Sequence, residues 1–173
     1  MDSARRRRKG PTVLPEVLGE NPTALAVNER VPDGIIGATI AVDGPVLFIA
    51  PERIVSVCRV LKDEAGFECF SAITGVDWWP QEPRFEIVYF LRSLRHNTRL
   101  RLSVKLAEGE PLDSVTEVWR GANWYEREVF DLFGVPFRNH PNLERIMMPA
   151  DWEGHPLRKD YPVHGHRYSY QDE

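Results

Sequence analysis

Prolines punctuate the last forty residues of this chain at positions 136, 141, 149, 156 and 162. A proline lacks the backbone N–H and clashes with the preceding helical turn, so this spacing forbids a long helix or a central strand. Yet the segment is not polar. It carries Phe137, Leu143, Ile146, Met147, Met148, Trp152, Leu157 and Tyr161. Extended backbone with that many apolar side chains cannot bury them by itself. It must lie along its own domain or along another protein.

The rest of the chain supplies one domain. At 173 residues and 42% hydrophobic content, it can build a core without disulfides or a structural metal. Ile54, Cys58, Leu61 and Ala65 recur at helical spacing after Pro51, which predicts a helix over 51–65 closed by Gly66. Another short helix is expected over 23–31. Residues 35–42 and 46–50 are apolar runs flanking Asp43-Gly44, a hairpin signal, with Pro45 marking an irregular or edge start. Strands are expected over 67–76 and 85–91. Over 99–106, Leu100, Leu102, Val104 and Leu106 alternate with Arg99, Arg101, Ser103 and Lys105, a half-buried strand with one basic face. Ser114 followed by Glu117 fits a capping box opening a short helix to Trp119, and a second helix is expected over 122–132, ending at Gly134. The fold class is α+β, a mixed or antiparallel sheet of about five strands with flanking helices and a long Pro-rich C-terminal tail. The expected division is a basic leader at 1–21, a domain at 22–134 and a tail at 135–173.

Charge narrows the function. Residues 1–10 hold five bases against one acid, a local +4, so with a net charge of −4 the other 163 residues carry −8. An acidic body argues against nucleic acid as the main partner. No apolar stretch follows the arginines as a signal peptide requires, and Glu16 and Glu20 are wrong for a transit peptide. No apolar run reaches the ~18 residues of a membrane span. Two cysteines, Cys58 and Cys69, cannot hold a zinc or iron–sulfur site alone, and Cys58 reads as a small core residue. Phosphate loops, nucleophile elbows and zinc-protease motifs are missing. Glu126, Glu128 and Asp131 cluster on one helix, where Arg127 and Asp131 have the spacing to pair. Four of five histidines follow residue 139, among them His164 and His166, and read as surface or interface groups.

Residues 122–162 read Ala-Asn-Trp-Tyr-Glu-Arg-Glu-Val-Phe-Asp-Leu-Phe-Gly, continue through His140-Pro141 and Arg145-Ile146, and close on Trp-Glu-Gly-His-Pro-Leu-Arg-Lys-Asp-Tyr-Pro. This stretch closely resembles the family of the C subunit of proton-pumping NADH–quinone oxidoreductase, respiratory complex I. One departure is Glu144, where the family usually has a base. The resemblance implies a non-catalytic peripheral-arm protein on the cytoplasmic side of the cell inner membrane. It implies that FMN, the iron–sulfur clusters and quinone belong to partner subunits. The D subunit of complex I is the implied main partner, with the B subunit and other iron–sulfur proteins of the arm nearby. The residues expected to meet partners are Glu126, Arg127, Glu128, Asp131, His140, Arg145, Trp152, His155, Leu157, Arg158, Lys159, Asp160 and Tyr161. A membrane-bound hydrogenase or formate-hydrogenlyase complex, which uses a similar subunit, is the alternative.

Overall fold

The computed structural model describes residues 21–162. Residues 1–20 of the basic leader and residues 163–173 of the tail, with His164 and His166, therefore lie outside the described residues. Asn21 accepts the N–H groups of Thr23 and Ala24 and so caps α1 (Pro22–Arg30), which has its proline in the first turn, where no N–H is needed. The hairpin follows as β1 (Ile35–Ala41) and β2 (Gly44–Ile49). Pro51–Arg53 forms a single 3-10 turn that opens α2 (Ile54–Asp63). Next come β3 (Cys69–Asp77), β4 (Phe85–Ser93) and β5 (Thr98–Leu106). The chain closes through β6 (Leu112–Asp113), α3 (Ala122–Phe133) and β7 (Phe137–Arg138).

The five long strands make one mixed sheet in the order β1-β2-β5-β4-β3. Only β2 and β5 run parallel; the other neighbours are antiparallel. β2 is thus an internal strand although Pro45 suggested an edge. Its pairing to β5 is recorded from Val46 onward, so the missing N–H of Pro45 interrupts no bond to that strand. On the inner sheet face Ile87, Tyr89, Leu102, Val104 and Leu106 are fully buried. The α2 stripe Ile54, Val57, Cys58 and Leu61 is equally buried against the core. Each such side chain contributes about 1.5–3 kcal/mol relative to exposure.

The expected helix after Ser114 is not formed. Residues 116–118 are a turn. Ser114 Oγ donates to Glu126 Oε2 at 2.6 Å, and Glu117 pairs with Arg59 instead of closing a capping box. The buried Glu126 carboxyl, which water cannot satisfy, outcompetes the local cap for the hydroxyl.

α3 packs on β3 through a close approach: a Cβ added at Gly75 would lie 2.8 Å from the Phe133 ring. Gly134 ends α3 at φ +77, a left-handed position suited to glycine. Beyond it β7 pairs in parallel with β6, which brings the chain back onto the domain.

Candidate functional site

The family-like stretch builds three linked polar centres, all directed at its own domain. The first closes the C-terminal end of α3. The last carbonyls of a helix have no intrahelical partner. Here Phe130 O accepts the Gly134 N–H at 2.9 Å, and Leu132 O accepts the Leu157 N–H at 3.0 Å. Asp131 O accepts from Arg145 Nη1 and from His155 Nδ1 at 2.9 Å. The His155 ring stands edge-on to Phe130. It sits so close to Gly134 that a Cβ there would be 2.6 Å away. The cation of Arg145 also lies where the helix dipole is negative.

The side chain of Asp131 is fully buried and takes four hydrogen bonds. The N–H groups of Ile146, Met147 and Met148 reach Oδ2 at 2.7–2.9 Å, and Arg145 Nη1 reaches Oδ1 at 2.6 Å. Burial alone would raise its pKa; the backbone donors and Arg145 outweigh that and hold it below the usual carboxylate range. The i,i+4 pair with Arg127 that helical spacing suggested is not made. Arg127 bonds Glu144 O and lies 5.0 Å over the Trp124 ring. An exposed i,i+4 pair contributes about 0.2–0.5 kcal/mol, much less than several hydrogen bonds to a buried charge.

The second centre is Glu126, also fully buried. Ser114 Oγ and the Val115 N–H donate to it at 2.6 and 2.7 Å. His140 Nε2 lies 3.9 Å from its Oε2. That nitrogen is 3.2 Å from Asn123 O, while Nδ1 receives the Asn142 N–H at 3.1 Å. The pair of bonds requires the neutral tautomer protonated at Nε2. Burial, together with the nearby Arg127 charge, lowers the His140 pKa despite the Asn123 bond. Burial pushes Glu126 up to about 7, against the opposing pull of Ser114 and Val115.

A pH dependence follows. The folded chain holds a proton on Glu126 that the unfolded chain, with a carboxyl near 4.5, releases. Stability from this group therefore falls as pH rises from about 4.5 to about 7 and is flat above. The gap corresponds to a loss on the order of 3 kcal/mol. Glu126→Gln copies the protonated shape. It is expected to be more stable than wild type at pH 8 and close to it at pH 5, as read from urea midpoints at the two pH values. A wild-type advantage at pH 8 would reject the assignment.

The third centre fixes the end of the described tail to the sheet. Arg84, at the entry to β4, is 2% exposed. It forms a two-bond fork with Asp77, the last residue of β3, at 3.0 and 2.8 Å. Its Nη atoms also reach Asp160 at 2.7 and 3.0 Å and Glu108 at 3.0 Å. Arg158 pairs with Asp160 and Glu108, and the Lys159 N–H donates to Asp77 at 2.8 Å. Burial raises Asp77, but Arg84 and the Lys159 and Trp79 N–H groups overcome it, giving about 2. The bonds of Arg84 and Arg158 hold Asp160 well below the usual range.

Of the residues singled out from sequence, Glu126, Asp131, His140, Arg145, His155, Arg158 and Asp160 thus bond within the chain. Lys159 contributes its backbone, and Tyr161 OH donates to Glu153 O. Trp152 is half-buried. The Glu128 side chain has no hydrogen bond or ion pair among the described residues. Leu157 is 52% exposed, and within the same stretch Trp124 at 62% and Met147 at 60% also stay outside the clasp. Sequence reasoning does not point to Asp77, Arg84, Glu108 and Ser114 as members of these centres. The one signal is Arg84 itself, a cation beside the buried positions of an alternating strand. Among the described residues no group of three or more His, Cys, Asp or Glu could hold a metal, and no helix is long and apolar enough to cross a membrane.

The fold and these centres define a small α+β domain whose extended end is clasped to its own sheet, with large apolar groups left outside. Comparison with known proteins gives the family. Residues 47–167 match the family described as the respiratory-chain NADH dehydrogenase 30 kDa subunit. The C subunit of NADH-quinone oxidoreductase from Roseiflexus castenholzii is 46% identical over 83% of this chain and 85% of its own. The corresponding C subunit from Geobacter sulfurreducens is 49% identical over 68% and 74%. One polypeptide of the membrane-bound sulfane sulfur reductase, an archaeal respiratory membrane complex, superposes with a TM-score of 0.67. It is 25% identical, over 86% of this chain and 85% of that one. The chain belongs to the 30 kDa subunit family of respiratory-chain NADH dehydrogenase, which makes it one part of a multi-protein complex.

Proposed function

We propose that this chain is a non-catalytic scaffold of the peripheral arm of NADH–quinone oxidoreductase. It holds the electron-transfer and quinone-site subunits in register while NADH-to-quinone electron transfer drives proton translocation. The observation that carries this reading is the division of labour within residues 122–162. The charged groups there lock the tail onto its own domain, and Trp124, Met147 and Leu157 stay exposed beside the lock. Exposed aromatic and aliphatic anchors on a rigid surface suit a permanent interface. FMN, the iron–sulfur clusters and the quinone then reside on neighbours. The D subunit is the main one, with the B subunit and other cluster-bearing proteins beyond it, on the cytoplasmic side of the inner membrane. Identity of 46–49% to C subunits of NADH-quinone oxidoreductase, against 25% to the sulfane sulfur reductase polypeptide, favours this machine over a hydrogenase or formate-hydrogenlyase complex.

The test is recovery of the tagged chain from gently solubilised membranes of its own host. Cluster-bearing and quinone-site subunits with NADH–quinone activity are expected in the same fraction. A Trp124→Glu, Leu157→Glu variant is expected to lower recovery of those subunits at least tenfold, with the stability of the isolated chain changed by less than about 1 kcal/mol, as for exposed positions. Undiminished recovery would reject the docking surface. A chain found alone would reject the scaffold, and one found with a nickel protein would move it to a hydrogenase.

A further inference from the structure

The outer face of the sheet carries a basic end that the clasp does not use. Arg92 of β4 and Arg99 of β5 stand directly opposite one another, and Arg101 of β5 stands opposite Phe90. Like charges in direct cross-strand register destabilise a sheet. Among the described residues lining the cleft they border there is one carboxylate, Asp43, which pairs with Arg101. Among the described residues the Arg92 side chain bonds only the neutral Asn97 side chain, and its Nε is buried without an acceptor. The Arg99 side chain has no hydrogen bond or ion pair among the described residues. The three arginines border a cleft of about 330 Å3 whose lining includes the apolar Phe90 and Pro45. The Arg101 guanidinium lies 5.9 Å over the Phe90 ring.

We infer that this cleft docks a short acidic segment of a neighbouring protein of the complex, one presenting two or more carboxylates around an apolar side chain. Planar guanidinium groups on rigid strands suit two-bond recognition of carboxylates, and the apolar lining gives the segment's non-polar atoms a place to bury. A basic cleft of this small size on an otherwise acidic body meets few charges at once, which suits a short acidic peptide and not an extended polyanion such as nucleic acid or an anionic bilayer. The inference rests on the proposed function for the identity of the complex, but not on the Trp124 surface.

A photo-reactive phenylalanine analogue placed at Ser71, an exposed residue lining the cleft, in the chain expressed in its own host, reads the occupant directly. The expected crosslink is to a segment of another protein of the complex with at least two Asp or Glu within about six residues, the span over which one cleft can meet both carboxylates. Arg99→Glu is expected to weaken that crosslink at least tenfold, and Arg99→Lys to preserve most of it. A lipid adduct, a crosslink to this chain's own termini, a crosslink to a neutral or basic segment, or none in an assembled complex would overturn the inference. A second probe at Trp124 separates the two claims. Crosslinking from Trp124 without Ser71 leaves the scaffold standing and removes the cleft; a chain that joins no complex removes both.

Discussion

Arg84→Met is expected to lower unfolding stability by about 3–5 kcal/mol, because it strands a buried carboxylate. Asp77 and Arg84 are each 2% exposed as side chains and share a two-bond fork. Without the guanidinium, Asp77 keeps only the N–H groups of Trp79 and Lys159. Asp160, Glu108 and Arg158 lose the cation that ties them to the sheet. Chemical denaturation followed by tryptophan emission measures the loss. The double variant Arg84→Met, Asp77→Leu separates a stranded charge from lost packing, since replacing both partners removes the unpaired carboxylate. It is expected to recover a large part of the deficit. A loss under about 1 kcal/mol in the single variant would mean that water reaches the pair. The pH profile is a further check. Asp77 is held near 2 against an unperturbed 3.8. Its stabilisation is therefore complete above about 4 and disappears as pH falls through about 2. Arg84→Met is expected to lose that acid-range dependence. Glu126 makes the opposite contribution between about 4.5 and 7, so the two slopes fall in separate windows.

Asp131→Ala is expected to release the segment 145–148 from α3. Three backbone N–H groups and Arg145 lose their acceptor together, a change of about 3 kcal/mol for bonds to a charged group. Hydrogen exchange at residues 146–148 is expected to accelerate by about a hundredfold, which is the same quantity expressed as an opening equilibrium. Asp131→Asn keeps one acceptor oxygen and is expected to fall between the two. Glu128→Ala, three residues away on the same helix and without a bonded partner among the described residues, is expected to change stability by no more than about 0.5 kcal/mol. Equal protection in wild type and Asp131→Ala would show that apolar contacts alone hold the segment. Both Asp131 substitutions act on the clasp and not on the exposed Trp124 surface. A loss of complex recovery in either would therefore report how far docking depends on an ordered tail.

The elements legible in the sequence are those whose cause is local. Period 3.6 over Ile54, Cys58 and Leu61, and period 2 over Leu100, Leu102, Val104 and Leu106, follow from how Cβ atoms project from helix and strand. The cores they predict are the cores observed. Asp43-Gly44 marks its hairpin, and Gly134 its helix end, because each glycine sits at a backbone angle that it tolerates. The family-like motif identifies the family for the same reason: it is a property of the string.

Which atom each charged residue meets is a matter for the tertiary structure alone. Arg84 and Asp160 are 76 residues apart, and Asp131 and Met148 are 17 apart. Local spacing instead favours Arg127 with Asp131, and Ser114 with Glu117. Both pairs yield because burial raises the worth of a satisfied carboxylate, and burial exists only after the sheet and α3 have packed. The internal place of β2 likewise depends on β5 returning beside it, with β4 on its other side. Local period decides what each segment is; desolvation, which no single segment contains, decides which polar partners it keeps.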